Sequence, residues 1–351
     1  MPLRLRRSNP LFGLLLSALP AVSALAQWSP VISPTDVELR GLSVVSSNVV
    51  WASGQRGTVV RTTDGGRSWS SHTLPGASGL DLRAVAATSA RVAHAISIGD
   101  SSRIYRTMDG GRTWTLRWSA TRKGTFLDAI RFWDARHGIA MSDPVDGRFL
   151  ILTTSDGGDS WQETGVDRIP PALEGEGGFA ASGSCLTVFG SSHVWFGSGG
   201  ARTARVYRSS DRGRSWTVHE TPLRAGTASA GIFSVVFRDV RNGVIAGGDY
   251  QHPALRGRNL ARTSDGGRTW RLVDSLGAPA GYRSAVAYLP DAAGRLLVAV
   301  GLSGTDLSRD AGRSWQLVDS TAYNSIGFSS ANRGWAVGPR GRIARWMPAV
   351  R

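Results

Sequence analysis

The sequence predicts an all-β protein built from repeated four-stranded units, and three observations lead to this fold class. One phrase, which in its first copy reads Arg61-Thr-Thr-Asp-Gly-Gly-Arg-Ser-Trp69, occurs six times along the 351 residues. Its tryptophans lie 45 to 55 residues apart, a period typical of propellers and other repeat folds. Short apolar strands and glycine-rich turns fill the intervals, and no segment has the pattern of a long amphipathic helix.

The repeated phrase has the pattern Ser/Thr-x-Asp-x-Gly-x-Ser/Thr-Trp, which predicts a tight turn between two strands. The Asp can accept hydrogen bonds from following backbone amides, the Gly tolerates positive φ, and the Trp can pack against the neighbouring unit. Because a binding or catalytic site rarely occurs six times around one ring, we interpret these turns as structural. The residues concerned are Asp64, Asp109, Asp156, Asp211, Asp265 and Asp310, with Trp69, Trp114, Trp161, Trp216, Trp270 and Trp315.

Seven similar units follow one another along the chain. Each reads as an alternating strand, a short turn, a strand ending in glycine, a third strand, the Asp turn and a fourth strand led by Trp. The units begin near Leu42, Leu82, Ala129, Cys185, Phe233, Tyr282 and Ser325.

The two ends of the chain supply complementary parts of one unit. The seventh unit has three strands, the last leading to Trp346, but neither an Asp turn nor a Trp-led fourth strand. At the other end, Trp28–Ile32 reads as a strand without a unit of its own. We predict that it completes blade seven, because ring closure leaves few exposed strand edges. The predicted fold is a seven-bladed β-propeller over residues 27–351, closed by the N-terminal strand.

Residues 1–26 have the pattern of a secretory signal peptide. Arg4, Arg6 and Arg7 form a basic start, an apolar stretch follows over Leu11–Val22, and Ala24-Leu-Ala26 resembles a cleavage site. We therefore expect an exported protein, either periplasmic or secreted.

Composition limits the partners. The net charge is +15 and the single lysine is Lys123, so nearly all of the positive charge is arginine and no Walker-type phosphate loop is present. For an exported protein we expect no nucleic acid partner, and an acidic protein or an anionic surface fits the charge better. Cys185 is the single cysteine, which excludes an intrachain disulfide. We expect a monomer.

The interruptions of the repeat are where binding is expected. The Asp turns join third and fourth strands, so the loops after second strands and between blades share the opposite face. The longest of these loops lie in blades 3 to 5, and long loops on a rigid scaffold often carry binding residues, although solvated surface loops are the alternative. The candidate binding residues are Asp143, Asp146, Arg148, Arg168, Glu174, Glu176, Arg202, Tyr250 and His252.

Catalysis on the same face would need paired carboxylates. Two such groups at a suitable separation could act as acid and base in glycoside hydrolysis, and the candidates are Asp128, Asp143, Glu174, Glu176 and Asp249. No Gly-x-Ser-x-Gly or His-Glu-x-x-His motif occurs, and the six histidines are scattered. We therefore predict no catalytic residue, no metal site and no cofactor, with a glycoside hydrolase as the alternative.

The repeated turn resembles the Asp-box, or bacterial neuraminidase repeat. The fuller unit, as in Gly334-Trp-Ala-Val-Gly followed by Gly341-Arg-Ile-Ala-Arg, is similar to that of the photosystem II stability/assembly factor family of seven-bladed propellers. More distant resemblance extends to sialidases, xyloglucan-hydrolysing enzymes and sortilin-type receptors, so the motif specifies fold and not activity. The resemblance implies a non-enzymatic scaffold that binds a protein partner, for which a subunit of a membrane-protein complex is a candidate. The alternatives are a secreted glycoside hydrolase and a glycan-binding propeller.

Overall fold

A computed structural model describes residues 28–99, 102–273, 277–291 and 293–347, and it contains seven four-stranded antiparallel sheets. The predicted signal peptide lies outside these residues and stays a prediction. Within the described residues no helix is long and apolar enough to cross a membrane. The sheets are the predicted seven blades, so the all-β propeller prediction is confirmed.

Six blades are formed from four consecutive strands each, numbered in chain order after β1 (Trp28–Val31). Blade 1 comprises β2 (Leu39–Val44), β3 (Val50–Gly54), β4 (Thr58–Thr62) and β5 (Ser70–Thr73); blade 2 comprises β6 (Leu82–Ala87), β7 (Ala93–Ser97), β8 (Arg103–Thr107) and β9 (Thr115–Ser119). Blade 3 comprises β10 (Leu127–Phe132), β11 (Gly138–Val145), β12 (Arg148–Thr154) and β13 (Gln162–Glu163); blade 4 comprises β14 (Leu186–Phe189), β15 (His193–Gly197), β16 (Arg205–Ser209) and β17 (Thr217–Glu220).

The later blades have the same order. Blade 5 comprises β18 (Ala230–Phe237), β19 (Gly243–Asp249), β20 (Leu260–Thr263) and β21 (Arg271–Leu272); blade 6 comprises β22 (Ala285–Tyr288), β23 (Leu297–Gly301), β24 (Gly304–Ser308) and β25 (Gln316–Asp319). Blade 7 comprises β26 (Ser325–Ser330), β27 (Arg333–Val337), β28 (Ile343–Trp346) and β1. One short 3-10 helix, Val166–Arg168, lies between blades 3 and 4 and was not predicted.

The N-terminal strand closes the ring, as predicted. β1 pairs with β28 in an antiparallel register that runs from Trp28 opposite Trp346 to Val31 opposite Ile343. Ile32, which was predicted as part of this strand, follows its end and is exposed. Trp28 itself is buried and packs edge-on against Trp346 at 4.9 Å between ring centroids.

The hydrophobic core lies between the blades, where each turn Trp packs against the preceding blade. Trp114 of blade 2 meets Trp51 of blade 1 edge-on at 6.3 Å, and Trp69 of blade 1 meets Trp335 of blade 7 at 5.4 Å. Trp161 of blade 3 belongs to a buried cluster with strands of blade 2. The prediction placed these tryptophans at the start of the fourth strands, whereas they directly precede them. Their large faces therefore stabilise the contacts between blades.

The six Asp turns share one hydrogen-bond pattern, which the second blade illustrates. The Thr107 hydroxyl donates to Asp109 Oδ1 at 2.9 Å and accepts the amide of Gly111 at 2.9 Å. The Asp109 carboxylate accepts the amide and the hydroxyl of Thr113 at 2.9 and 2.6 Å, and these bonds hold its pKa below the ordinary range. Gly110 has a φ of 80°, which a residue with a Cβ rarely adopts. The carboxylates are thus occupied within their own turns.

The connection from blade 3 to blade 4 enters the axis of the ring. Residues 178–184, here called the central segment, contact residues in, or directly before, the innermost strands of five further blades. Arg40 of blade 1 and Arg83 of blade 2 donate to the carbonyls of Ala181 and Ala180, respectively. The Ser182 hydroxyl donates to the carbonyl of Ser284 in blade 6, and the Ser182 carbonyl accepts from the Ser325 hydroxyl of blade 7. The Ser184 hydroxyl donates to the Ser234 hydroxyl of blade 5. A stretch that touches blades 1, 2, 5, 6 and 7 at once must lie at the centre of the ring.

Candidate functional site

Two faces of the ring differ in what they carry. The turn face holds the six Asp turns between third and fourth strands, and the connector face holds the loops after second strands and between blades. A cavity of about 440 Å³ opens on the connector face above the central segment, and we call it the channel-mouth pocket. Its lining residues are Arg40, Arg83, Phe126, Asp143, Gly178, Phe179, Ala180, Ala181, Phe233, Tyr250, Tyr282, Leu302 and Asn324.

Four of the groups at this end of the channel stand at β-bulges in the first strands of their blades. The pairing with the second strand shifts at Arg40 in blade 1, Arg83 in blade 2, Asp128 in blade 3 and Phe233 in blade 5. A bulge turns the extra residue away from the regular alternation of a strand. The same irregularity in four blades therefore brings two guanidinium groups, a carboxyl group and an aromatic ring to the end of the channel.

Aromatic rings form one side of the channel-mouth pocket. Phe179 of the central segment stacks on Phe233 with centroids 3.9 Å apart and planes 19° apart. Tyr282 and Tyr250 meet Phe233 edge-on at 4.8 and 6.1 Å. Phe233 and Tyr282 are buried, whereas Tyr250 and Leu302 are 44% and 45% exposed. The pocket thus offers a fixed apolar surface bordered by two accessible side chains.

Arginines form the opposite side of the pocket. Arg40 pairs with Glu38 at 2.9 Å, and Arg83 pairs with Asp81 at 2.8 Å. Each of the two guanidinium groups also donates to a carbonyl of the central segment, so both are held in place while remaining partly accessible. Held arginines next to aromatic rings can recognise carboxylate or carbonyl groups of a ligand.

Two candidate carboxyl groups meet at the edge of the pocket. Asp143 accepts the amide of Gly178 at 2.6 Å, and burial raises the pKa of Asp143 to about 6. Asp128 is fully buried and neither of its oxygens has a hydrogen-bond partner among the described residues. Burial and the neighbouring Asp143 raise the pKa of Asp128 well above its ordinary value, while Arg83 opposes the shift. Burial and the neighbouring Asp143 therefore favour the uncharged form of the Asp128 carboxyl group.

Glu176 is held in a buried ion pair. Its carboxylate accepts from Arg205 Nε at 2.9 Å and from the Ser198 hydroxyl at 2.5 Å, and it also accepts the backbone amide of Leu173 at 2.8 Å. The Glu176 side chain is fully buried. These contacts fix the loop before the central segment against blade 4, since Arg205 and Ser198 belong to that blade.

The other predicted residues lie around the rim of the connector face. Asp249 accepts from His252 Nδ1 at 3.0 Å, Arg202 lies 3.7 Å from Glu220, and Asp146 lies 3.6 Å from Arg122. Arg148 donates to the carbonyl of Ile169, whereas Arg168 and Glu174 are exposed. Of the predicted binding residues, Asp143 and Tyr250 line the pocket; Arg40, Arg83, Phe179, Phe233 and Tyr282 were missed.

A second cavity, of about 470 Å³, opens on the turn face between blades 1, 2 and 3. Its charged lining residues are Arg131 and Asp134, and no predicted binding or catalytic residue reaches it. Among the residues that the structure describes, no group of three or more His, Cys, Asp or Glu side chains is placed to hold a metal. The channel-mouth pocket is therefore the candidate site, because it contains two of the predicted binding residues, Asp143 and Tyr250.

No family model matches the sequence, and no curated protein matches it. Solved structures do match. The chain is similar to YCF48 bound to D1 peptide, with a TM-score of 0.65 and 17% identity over 92% of this chain and 97% of that one. YCF48 from Cyanidioschyzon merolae has a TM-score of 0.64 and 20% identity over 93% and 100% of the two chains.

An enzyme is among the similar structures as well. The GH74 xyloglucanase from Xanthomonas campestris has a TM-score of 0.66 and 17% identity over 93% of this chain. The match spans 54% of the xyloglucanase, so this chain corresponds to about half of that protein. At these identities the likeness shows the fold. The expected resemblance to assembly-factor and xyloglucanase-type propellers is confirmed at that level.

Proposed function

We propose that the chain is an exported, non-enzymatic propeller that binds a protein segment in the channel-mouth pocket and so acts as a binding or assembly scaffold. The observation that carries the proposal is the pocket itself, with stacked aromatic rings on one side and two held arginines on the other. Rigid aromatic and arginine side chains are enriched at the residues that dominate protein interfaces.

Two further observations support a protein ligand. A similar structure, YCF48, has been solved with a D1 peptide bound. Residues 1–26 contain three arginines and no acid, so a net charge of +15 − 3 = +12 remains after export, and it would favour encounter with an acidic partner or with a protein at an anionic surface. A subunit of a membrane-protein complex in the periplasm would be a protein ligand close to an anionic surface. This partner requires that residues 1–26 direct export.

The likeness to a xyloglucanase favours a second candidate, a glycoside hydrolase. A hydrolase of this kind needs an acid and a base on opposite sides of one glycosidic bond. Of the five candidate carboxyl groups, Asp143 is the one that lines the pocket. Asp128 is buried beneath Gly178, Glu176 is held by Arg205, Asp249 accepts from His252, and Glu174 lies outside the pocket. This placement offers the pocket one accessible carboxylate, and it therefore favours binding over hydrolysis.

The experiment is an affinity capture with the full chain from the native periplasmic and membrane fractions. Tyr250→Ala combined with Leu302→Ala removes the two exposed pocket side chains. Leu255→Ala is the matched control, because Leu255 is equally exposed in the blade 5 loop but lies outside the pocket. We expect one protein to be captured by the wild type and by the control and to be lost with the double variant.

Two outcomes would contradict the proposal. Loss of the partner with the control variant as well would place the binding surface elsewhere. Hydrolysis of a xyloglucan oligosaccharide by the wild type, abolished by Asp143→Asn, would make the protein an enzyme.

A further inference from the structure

The turn face carries a second charged feature, which does not depend on the channel-mouth pocket. In several blades the third strand holds an Arg whose side chain reaches the Asp turn of the following blade. Arg208 of blade 4 illustrates the placement, since a Cβ added to Gly266 of blade 5 would lie 3.7 Å from Arg208 Nε. The equivalent side chains are Arg61, Arg106, Arg208 and Arg262, which lie against the turns of blades 2, 3, 5 and 6.

The charge at these contacts differs between blades. In the turn of blade 3 the residue before the final Ser is Asp159, and it pairs with Arg106 at 3.1 Å and with Arg117 at 3.0 Å. In the turns of blades 2, 5 and 6 the same position is Arg112, Arg268 and Arg313. Burial, followed by the charge of the facing turn arginine, lowers the pKa of Arg61, Arg208 and Arg262. Two arginines therefore face each other at the turns of blades 2, 5 and 6, whereas an arginine and an aspartate form an ion pair at the turn of blade 3.

The contact between blades 4 and 5 also contains a notch. A cavity of about 230 Å³ is lined by His193, Arg208, Val240, Arg241, Asp265 and Arg268. The side chain of Arg208 forms no hydrogen bond within the described residues, and its Nε atom is buried. By contrast, Arg61 donates to the carbonyl of Ala90 at 2.8 Å. Arg208 is thus a partly buried cation with unused donors.

The acid in the notch does not satisfy these donors. Asp265 accepts from the hydroxyls of Thr263 and Thr269 and from the amides of Arg268 and Thr269, so both of its oxygens are occupied within its turn. The negative charge of Asp265 raises the pKa of Arg208, but burial and the charge of Arg268 each lower that pKa by more. Three guanidinium groups against one carboxylate leave the notch positive.

We propose that this notch, formed by Arg208, Arg241 and Arg268, is an oxyanion-binding site that takes a phosphate or sulfate group. Guanidinium groups present paired N–H donors that match such oxyanions, and they do so best where water is partly excluded. A bound dianion would offset the repulsion between Arg208 and Arg268 and would accept from the terminal guanidinium nitrogens of Arg208. Val240, which is 42% exposed, would border the ligand on one side.

The test is titration of the full chain with inorganic phosphate and with sulfate by calorimetry, with sodium chloride holding the ionic strength constant. Arg208→Gln combined with Arg268→Gln removes two donors of the notch. Arg67→Gln combined with Arg112→Gln is the control, because it removes the same net charge, two arginines, from the turn position that Arg268 occupies, but in blades 1 and 2. We expect the notch variant to weaken binding by about tenfold or more, and the control to change it by less than about twofold.

A third variant tests the site without changing the partly buried Arg208, whose substitution could impair folding. Arg241→Gln changes an exposed side chain and should also weaken binding. The proposal is overturned if the wild type binds neither anion, or if the notch and control variants weaken binding equally, since net charge alone would then attract the anions.

Vesicle sedimentation identifies the source of the oxyanion. Binding to phosphatidylglycerol vesicles but not to phosphatidylcholine vesicles, lost with the notch variant, would identify a lipid headgroup. Phosphate binding without sedimentation would identify a soluble ligand. Both results support the site.

Discussion

Ring closure by Trp28 gives the sharpest quantitative expectation. Trp28 is 2% exposed and packs against Trp346, Tyr323 and Phe328, with centroid distances of 4.9, 5.5 and 6.2 Å. Its indole N–H donates to the Thr305 hydroxyl of blade 6 at 3.0 Å in a buried hydrogen bond. One side chain thus joins the N-terminal strand both to its own blade and to the preceding one.

The substitution Trp28→Ala should lower the free energy of unfolding by about 3–5 kcal/mol, the range for removing a buried aromatic side chain. That is a large fraction of the roughly 5–15 kcal/mol that stabilises a typical domain. Trp28→Phe keeps a ring but loses the hydrogen bond, so it should cost about 1–2 kcal/mol beyond the smaller ring's lost contacts.

Urea unfolding of the full chain, followed by tryptophan fluorescence and circular dichroism, measures both changes. A double-mutant cycle of Trp28→Phe with Thr305→Val isolates the hydrogen bond, and we expect a coupling of about 1 kcal/mol. A loss below about 1 kcal/mol for Trp28→Ala would refute the idea that this strand closes the ring.

Two further expectations concern buried polar groups. Thr107→Val should destabilise the protein by about 1–3 kcal/mol because the buried amide of Gly111 loses its acceptor, whereas Thr107→Ser should be nearly neutral; equal urea midpoints for the two variants would contradict this. The pKa of Asp143 is raised to about 6 from 3.8, so its protonated form stabilises the fold fully below pH 3.8 and that contribution is lost as pH rises through 6. Asp143→Asn should therefore be more stable than the wild type at pH 8, by about 1–3 kcal/mol, with the difference disappearing below about pH 4. A difference that does not change with pH in urea titrations would argue against a raised pKa.

The repeat and its closure were predictable because they depend on local chemistry. An Asp that bonds to its own turn, a glycine with positive φ and a Trp five residues after the Asp occur in fixed order, so spacing alone locates each Asp turn. The split blade was equally accessible, since three strands without a fourth and one strand without a blade can only fit together. Blade starts were predicted to within three residues; the sixth blade, for example, was expected to begin near Tyr282 and its first strand begins at Ala285.

The channel-mouth pocket was largely not predictable from one sequence. Arg40 and Arg83 stand at bulges, and nothing in the alternation of a strand shows where a bulge will turn a side chain towards the axis. Glu176 was a candidate for binding or catalysis, but its ion pair with Arg205 depends on how a loop folds back onto blade 4.

The central segment changes how the seven blades depend on one another. In a repeat protein each unit ordinarily contacts its two neighbours alone, so stability is a sum of local terms and a weak unit can open by itself. Here one short stretch of chain bonds to blades on opposite sides of the ring, for example to Arg83 in blade 2 and to Ser284 in blade 6. The central segment therefore cross-links blades that are not neighbours in the propeller. Phe179 of the central segment lines the pocket. A ligand that binds against the Phe179 side chain would therefore contact the segment that connects blades 3 and 4 and bonds to the other five blades.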